Sequence, residues 1–344
     1  MSSDLSRTGR LAVRAPNWVG DLVMATPILA AAVSDPRWDD VCLVVRGHLA
    51  PLLADAPWQD RIETIAASRE ETGFLRESRP DAVLLLPNSF GAAWRAFRAG
   101  VRVRAGSALS GRRWLLTHSF VPPTRAGRRV PVPTAHLHRD AAGLLGIRVP
   151  DLHPRLWVRQ ELRERVREEL AAAGLERGAP YVLCCPGAAF GAAKLWPPER
   201  FAEVLDALYE SRGWRAVISG GPGEEPLMRA VRDNCRHDAL ELSEVPRDLE
   251  RLKAIVRDAR LLLVGDSGPR WVAAAFDVPC VTIMGPNFPE LTATSLEACR
   301  VVRLDHLECA PCIQRRCPLG HHRCMQELPA SAAIEAAEEL LEDR

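Results

Sequence analysis

Short apolar runs alternate with longer amphipathic segments along most of this chain. The runs are rich in leucine and β-branched residues, as strands buried on both faces are, and the segments between them repeat apolar positions with the helical period. This alternation predicts an α/β protein with open parallel sheets. The predicted strands are Leu11–Arg14, Val41–Val45, Ala82–Leu86, Tyr181–Cys185, Arg215–Ser219, Leu261–Val264 and Cys280–Met284. The predicted helices are Leu22–Val33, Glu161–Ala173, Glu199–Tyr209, Asp248–Asp258, Trp271–Phe276 and Ala330–Leu341.

The length indicates two domains. The chain has 344 residues, and a typical domain has ~150. Prolines mark the segment 149–154, and a charged helix follows it. Because domain boundaries fall in such segments, we expect domains at 1–155 and 156–344, each with one sheet.

Composition excludes several classes of protein. Hydrophobic residues make up 47% of the chain and charged residues 26%, which excludes a disordered chain. The net charge of +1 argues against a protein that binds nucleic acid with its whole surface. The N-terminus is polar, and no apolar run approaches the ~20 residues that cross a bilayer. We therefore expect a cytoplasmic protein.

The first candidate site is the turn after the strand Leu11–Arg14. In open parallel sheets, ligands bind beyond the carboxyl ends of the strands, so these turns are where chemistry is expected. Here Gly20 permits a tight turn, and Asp21 immediately precedes a helical run. Asp21 can cap that helix, or it can act as a catalytic base.

The second candidate site is the turn 186–197, which is rich in glycine and alanine. Its bare backbone, including Gly187, lets N–H groups approach an anion, and Lys194 adds a point charge for phosphate. Lys194 and Lys253 are the only lysines among 45 basic residues. The turn lacks the Walker pattern, so a tight connection with a solvated lysine is the alternative.

The third candidate site is the turn that contains Asp266, Ser267 and Gly268. It joins a buried strand to a helix, and the free N–H groups at such a helix start bind anions. Asp266 can accept hydrogen bonds from sugar hydroxyls. Alternatively, Asp266 or Ser267 only caps the helix.

These turns together resemble one enzyme family. The segments that carry the resemblance are 17–21 with Pro27, 87–90, 186–197, and 266–268 with 273–275. They resemble the ADP-heptose:lipopolysaccharide heptosyltransferases of glycosyltransferase family 9, most closely the heptosyltransferase II type. The resemblance follows nearly the whole chain in the same order.

This resemblance implies a GT-B fold, with two Rossmann-like domains facing across a cleft, and an inverting transfer of heptose. The implied donor is ADP-heptose, and the implied acceptor is a hydroxyl of the anionic lipopolysaccharide inner core. By position, Asp21 resembles the catalytic base and Lys194 the lysine that binds the diphosphate. No cofactor is implied for catalysis. The other implied donor contacts are Gly187, Asp266, Ser267 and Gly268.

Two further donor positions match the family less closely. The acid that holds the adenosine ribose corresponds to Glu224, with Glu225 nearly as good a match. The family usually has a histidine three residues after the glycine of the third turn, and this chain has Trp271. Because an indole offers one neutral N–H, Trp271 is expected to change how the donor is bound.

Ten arginines, and no Asp or Glu, lie between Gly91 and Arg139. Guanidinium groups bind carboxylates and phosphates in a bidentate manner, as an anionic glycolipid acceptor requires. Arg104 and Arg112 match basic positions of the family, and with Asn88 they are the predicted acceptor-binding residues. A solvated face, or a patch for peripheral contact with the inner membrane surface, is the alternative. Scarce aromatic residues argue against nucleic acid as a partner.

Four cysteines fall within sixteen residues near the C-terminus: Cys309, Cys312, Cys317 and Cys324. This spacing fits a structural zinc site or an iron–sulfur cluster, with His321 and His322 as alternative ligands. Two disulfides or four free thiols are the other interpretations.

Two classes of function stay open at this point. One is a glycosyltransferase, acting on the lipopolysaccharide core or on another acceptor such as a protein or a small molecule. The other is a nonenzymatic protein that binds a nucleotide sugar or a glycolipid. The presence of both Asp21 and Lys194 favours the enzyme.

Overall fold

The computed structural model describes residues 9–125 and 128–342. The described residues divide into two compact units, one within Met1–Trp157 with Glu290–Thr294, and one within Val158–Pro289 with Ser295–Arg344. This division lies close to the predicted domain boundary at 155/156.

A parallel sheet forms the centre of the first unit. Its strands, in the described residues, are β1 (Arg10–Arg14), β2 (Asp40–Arg46), β3 (Ile62–Ile65), β4 (Ala82–Leu85), β5 (Val103–Ser107) and β6 (His118–Phe120). The strands lie in the order β3-β2-β1-β4-β5-β6 and pair in parallel. Two short strands, β7 (Thr124–Arg125) and β8 (Arg128–Arg129), pair antiparallel beyond it. The helices of this unit are α1 (Val19–Val33), α2 (Glu70–Ser78), α3 (Phe90–Arg98) and α4 (Thr134–Gly143).

The second unit repeats this arrangement. Its strands, in the part of the chain that the structure describes, are β9 (Tyr181–Cys185), β10 (Arg215–Ile218), β11 (Ala239–Glu241), β12 (Leu261–Gly265), β13 (Cys280–Ile283) and β14 (Cys299–Val302). The order is β11-β10-β9-β12-β13-β14, again parallel throughout. The helices are α5 (Gln160–Ala172), α6 (Pro198–Arg212), α7 (Glu225–Asn234), α8 (Leu249–Asp258), α9 (Pro269–Ala275), α10 (Arg323–Gln326) and α11 (Ala330–Glu342).

The central strands are buried on both faces, which explains their continuous apolar runs. All five residues of β9 and of β12 are buried, and so are the last four residues of β1. In the first unit, Val83, Ala93 and Leu115 belong to one buried cluster that joins the sheet to α3. The carboxyl ends of these central strands are therefore held rigidly.

Every predicted strand and helix is present, with its ends shifted by a few residues. The sequence does not predict β3, β5, β6, β11 or β14. These strands lie toward the sheet edges and lack a long apolar run; β3, for example, exposes Glu63 and Thr64. Within the described ranges, no helix has both the length and the apolar character needed to cross a bilayer.

Candidate active site

Both sheets have the strand order of a doubly wound Rossmann fold, and this order locates the site. Counted along the chain, each sheet runs 3-2-1-4-5-6, so the order reverses between the first and the fourth strand. In doubly wound sheets, ligands bind at this reversal, beyond the carboxyl ends of the two strands. The three turns singled out in the sequence, together with the segment 87–90, follow these strands.

In the second unit, the turns after β9 and β12 bring Lys194 and Asp266 into contact. Lys194 Nζ lies 2.5 Å from Asp266 Oδ2 and 3.1 Å from the Asp266 carbonyl oxygen. The two side chains are only 11% and 9% exposed. Lys194 Nζ also lies 4.8 Å from the centre of the Phe190 ring. The lysine is therefore fixed at the strand ends, and the solvated-lysine alternative is wrong.

Asn287 completes this cluster and was missed in the sequence. Its Nδ2 donates a hydrogen bond to Asp266 Oδ2 over 2.8 Å. Asn287 follows β13, the neighbour of β12 in the sheet. A polar residue just beyond a third parallel strand was the available signal, because neighbouring strand ends meet at one edge of a sheet.

Gly187 and Glu224 form a second contact at this edge. A Cβ atom at Gly187 would lie 2.0–2.1 Å from the carboxylate of Glu224, so a larger residue there would push that carboxylate aside. The Glu224 carboxylate accepts a hydrogen bond from the Gly221 N–H over 2.7 Å. Glu225 instead binds Arg247 over 2.6 Å, and that hydrogen bond lowers the pKa of Glu225. Glu224 is thus the acid that lies against the glycine-rich turn.

The turn after β12 differs from the prediction in its capping. Helix α9 begins at Pro269 with Gly268 in the N-cap position, so neither Asp266 nor Ser267 is the N-cap. Trp271 lies inside this short helix and is 5% exposed. The Arg270 guanidinium carbon lies 4.7 Å from the centre of its ring. Trp271 is therefore a packed side chain behind the turn.

In the first unit, Asp21 lies at the end of β1 in the first turn of α1. The N-cap of α1 is Trp18, and no side chain caps it, so the interpretation of Asp21 as the N-cap is wrong. A carboxylate in the first turn of a helix is still favoured by the helix dipole. Asp21 is half-buried.

A buried ionic network holds the turn that leads to Asp21. Arg14, at the end of β1, donates to Glu71 Oε2 over 3.2 Å and to Asn17 Oδ1 over 2.6 Å. Arg95 donates to the same Glu71 oxygen over 3.0 Å. Burial lowers the pKa of Arg14, and the charge of Glu71 opposes that shift. The sequence did not indicate this network, although an arginine that ends a buried strand must have a buried partner.

Asn88 and Arg112 lie together at the end of β4. Asn88 Oδ1 accepts a hydrogen bond from the Ser107 hydroxyl over 2.7 Å. Arg112 is fully buried and donates to the Ser107 carbonyl over 2.9 Å, to the Ser89 carbonyl over 3.2 Å and to the Pro87 carbonyl. Burial lowers its pKa to about 10. Arg112 therefore binds the turn that carries Asn88.

Arg104 also has its hydrogen-bond partners within the first unit. It donates to the Leu115 carbonyl over 2.6 Å and to the Val101 carbonyl, and it lies 5.4 Å from the centre of the Phe97 ring. Burial lowers its pKa. The structure gives both predicted arginines backbone partners within the first unit, with Arg112 fully buried and Arg104 half-buried.

The profile of glycosyltransferase family 9 (heptosyltransferase) matches residues 73–323, which is most of the chain. The chain belongs to glycosyltransferase family 9. It is 27% identical to lipopolysaccharide heptosyltransferase 2 of Salmonella typhimurium, over 86% of this chain and 88% of that protein. Lipooligosaccharide heptosyltransferase 2 of Campylobacter jejuni is 33% identical, but the match spans about half of each protein, 46% and 50%.

The solved structures show the fold. The structure of ADP-heptose LPS heptosyltransferase II of E. coli matches with a TM-score of 0.77 and 23% identity, over 97% of this chain and 99% of that one. The glycosyltransferase therefore has the GT-B fold that the sequence predicted.

The cysteine loop of this glycosyltransferase, defined as residues 309–324, lies against the lysine turn. Cys309, Cys312, Cys317 and Cys324 line one small cavity with His321, His322 and Ala193. All ten cysteines, which lie in the described ranges, are free thiols, so the disulfide interpretation is wrong for this structure. Within residues 9–125 and 128–342, no group of three or more His, Cys, Asp or Glu side chains is placed to hold a metal ion. The predicted metal site is not formed by the thiols as they stand.

Backbone contacts join this loop to the turn that carries Lys194. The Ala193 N–H donates to the Arg315 carbonyl over 3.1 Å, and His322 Nε2 lies 2.8 Å from the Ala193 carbonyl. At Gly191 the φ angle is +149°, and a Cβ there would lie 2.5 Å from the Arg315 carbonyl oxygen. The cysteine loop therefore supports the position of the lysine turn.

Proposed function

We propose that this glycosyltransferase transfers a heptose from ADP-heptose to a hydroxyl of the lipopolysaccharide inner core, with inversion at the anomeric carbon. The observation that carries the proposal is the Lys194–Asp266–Asn287 cluster at the strand ends of the second unit. It lies in a chain whose relatives are named heptosyltransferases.

Lys194 is the group proposed to bind the diphosphate. An ammonium group has three N–H donors, and the two contacts with Asp266 leave room for a third contact with a phosphate oxygen. Asp266 and Asn287 fix the direction in which that donor points. The same positive charge stabilises ADP as it departs, because negative charge develops on the leaving oxygen.

The rest of the donor site follows from the contacts at β9 and β12. Glu224, against Gly187, is the proposed acceptor of hydrogen bonds from the ribose hydroxyls. Ser267 and Gly268 lie in the turn beside Asp266 and are proposed to contact the sugar and phosphate. Trp271, packed on Arg270, is proposed to shape the donor site from behind.

Asp21 is the proposed general base. It takes the proton from the acceptor hydroxyl while the acceptor oxygen attacks the anomeric carbon and ADP leaves with the bonding electrons. One C–O bond replaces another, so no redox cofactor takes part. Asn88 is proposed to contact the acceptor, and Arg112 and Arg104 position the surrounding turns.

A glycosyltransferase of the same class acting on a different acceptor, such as a protein, is the second candidate. A nonenzymatic sugar-binding protein is less well supported, because it has no need for both Asp21 and Lys194. The three candidates predict different requirements for the release of ADP from ADP-heptose. The proposed enzyme releases ADP from ADP-heptose when heptose-deficient core is added. Release without any acceptor, or no release with it, would contradict the proposal.

We also propose that the four cysteines hold a structural zinc ion or an iron–sulfur cluster. Two observations support this proposal. The four cysteines line one cavity, and the backbone N–H of His322 donates to Cys317 Sγ over 3.4 Å and lowers the pKa of that thiol. A lower pKa at Cys317 favours the thiolate that a metal needs, whereas burial raises the pKa of Cys324 to about 11. Elemental analysis of the purified protein should find either zinc or iron with acid-labile sulfide, and Cys317→Ser should reduce the amount bound per chain. Absence of metal in protein purified without chelators would contradict this.

A further inference from the structure

Four aromatic side chains form a cluster on the outside of the first unit. This aromatic patch consists of Phe90, Trp94 and Phe97 of α3 and Trp114 of the 3-10 turn that follows β5. They are 41%, 37%, 43% and 64% exposed, respectively. Their ring centres lie 5.8–6.4 Å apart in five pairs, so they form one continuous surface.

Helix α3 turns its small side chains inward and its large ones outward. Ala92, Ala93 and Ala96 are buried against the sheet, whereas the aromatic residues share the opposite face. This is the reverse of the usual arrangement, in which large apolar residues fill the core. Arg104 fixes the patch, because it stacks on Phe97 and donates to the carbonyl of Leu115, the residue after Trp114. The exposed rings are therefore held in place.

Positive charge borders the patch. Arg98 follows Phe97, Arg113 precedes Trp114, and both are exposed. From the neighbouring helix α2, Arg76 donates to the Arg98 carbonyl over 3.0 Å and adds a further cation. The acid that reaches α3, Glu71, is 1% exposed and already paired with Arg14 and Arg95. The border therefore carries exposed arginines.

We propose that the aromatic patch and its arginines dock this protein on an anionic lipid bilayer. Tryptophan and phenylalanine insert at the boundary between headgroups and acyl chains, where an amphipathic helix can lie in the plane of the membrane. Arginines beside them are attracted to anionic headgroups. The apolar centre of the surface matches the acyl chains of such a membrane, and the cationic border matches its anionic headgroups.

Charge argues against other occupants. A symmetric dimer through this patch would place the arginines of one copy against those of the other, which repels. Single-stranded nucleic acid needs free ring faces for its bases, and here the rings pack on one another. An acidic protein partner would satisfy the arginines but not the apolar centre.

The test uses sedimentation with lipid vesicles. Wild-type protein should bind vesicles that contain phosphatidylglycerol at least about tenfold more tightly than vesicles of pure phosphatidylcholine. The variant Trp94→Ser/Phe97→Ser/Trp114→Ser should lose most of this binding, and Arg98→Glu/Arg113→Glu should lose its preference for the anionic lipid. Exposed residues of the second unit supply matched controls, Tyr209→Ser and Arg229→Glu, which should bind as the wild type does.

Folding of the first unit is checked by the circular dichroism spectrum and the urea denaturation midpoint of each variant, and ADP affinity should be unchanged because ADP is proposed to bind the second unit. Patch variants that bind vesicles like the wild type would overturn the proposal. So would a wild-type dimer, seen by light scattering, that the patch variants dissociate. The proposal does not rest on heptose transfer: an inactive protein that still binds anionic vesicles would refute the function and leave the docking surface standing.

Discussion

The two units place their candidate residues at the same point of the same sheet order, but they use charge differently there. In the first unit, Arg14 and Arg112 are buried, Arg104 is half-buried, and all three are bound to partners within the fold. In the second unit, a single lysine at the strand ends pairs with Asp266 beside a glycine-rich turn. The number of cations in a stretch of sequence therefore does not tell how many can reach a ligand.

The difference has a physical cause. A guanidinium has five N–H donors in a rigid plane, so one arginine can satisfy several backbone carbonyls in a turn. Arg112 does this for Ser89 and Ser107. A lysine has a compact ammonium, which Asp266 can hold while one N–H points to a phosphate. The three arginines of the first unit are thus bound within the fold, whereas Lys194 of the second unit is proposed to bind the donor.

Removing Glu71 should have the largest effect. Glu71→Ala leaves the buried Arg14 and the partly exposed Arg95 without their shared carboxylate, and the free energy of unfolding should fall by about 3–5 kcal/mol. Urea denaturation measures this. The control is Glu77→Ala on the same helix, which removes an exposed carboxylate and should change little. A loss below about 1 kcal/mol would mean that the network contributes no more than a surface ion pair.

Lys194→Ala should act on the donor side. It removes a charged hydrogen bond to the diphosphate, so ADP affinity should fall by about 10- to 100-fold and transfer should slow with it. Lys194→Arg should recover part of the loss, since the planar fork replaces a compact ammonium poorly. Calorimetric titration with ADP gives the affinity, and Arg229→Ala, at an exposed site on α7, is the control. Unchanged affinity would rule out this role for Lys194.

Trp271→His should have the smallest effect. The indole is buried beside Arg270 and shapes the site from behind, so the change should alter the ratio of heptose to glucose transfer by about tenfold. Transfer rates from ADP-heptose and ADP-glucose provide the ratio. If the wild type is inactive and the histidine variant is active, Trp271 damages the site and does not shape it.

The candidate residues after the central strands could be predicted because buried strands and the turns that follow them have local sequence patterns. Buried runs identified β1, β9 and β12, and their carboxyl ends led to Asp21, Lys194 and Asp266. The roles of these residues remain proposals. Local sequence could not give the pairing of Glu71 with Arg14, because the partners are 57 residues apart.

Other features depended on three-dimensional packing. The sequence of α3 has the pattern of an ordinary amphipathic helix. Only the packing against the sheet shows that the alanines face inward and the aromatic residues outward. The contact of Glu224, and not Glu225, with Gly187 likewise could not be read from local sequence. Asp21 lies inside α1 and not at its N-cap because the helix begins at Val19, with Trp18 as an N-cap residue that makes no side-chain cap hydrogen bond.

The central claim is that the first unit activates the acceptor while the second unit binds the donor, and Asp21→Asn tests it most directly. The amide keeps the shape of the side chain but cannot take a proton, so turnover should fall by about 100-fold or more. ADP affinity, measured on the same preparation, should stay at the wild-type value, and Asp60→Asn, an exposed change in the same unit, should alter neither. Normal turnover in Asp21→Asn, or a loss of ADP affinity equal to the loss of turnover, would contradict this division of roles.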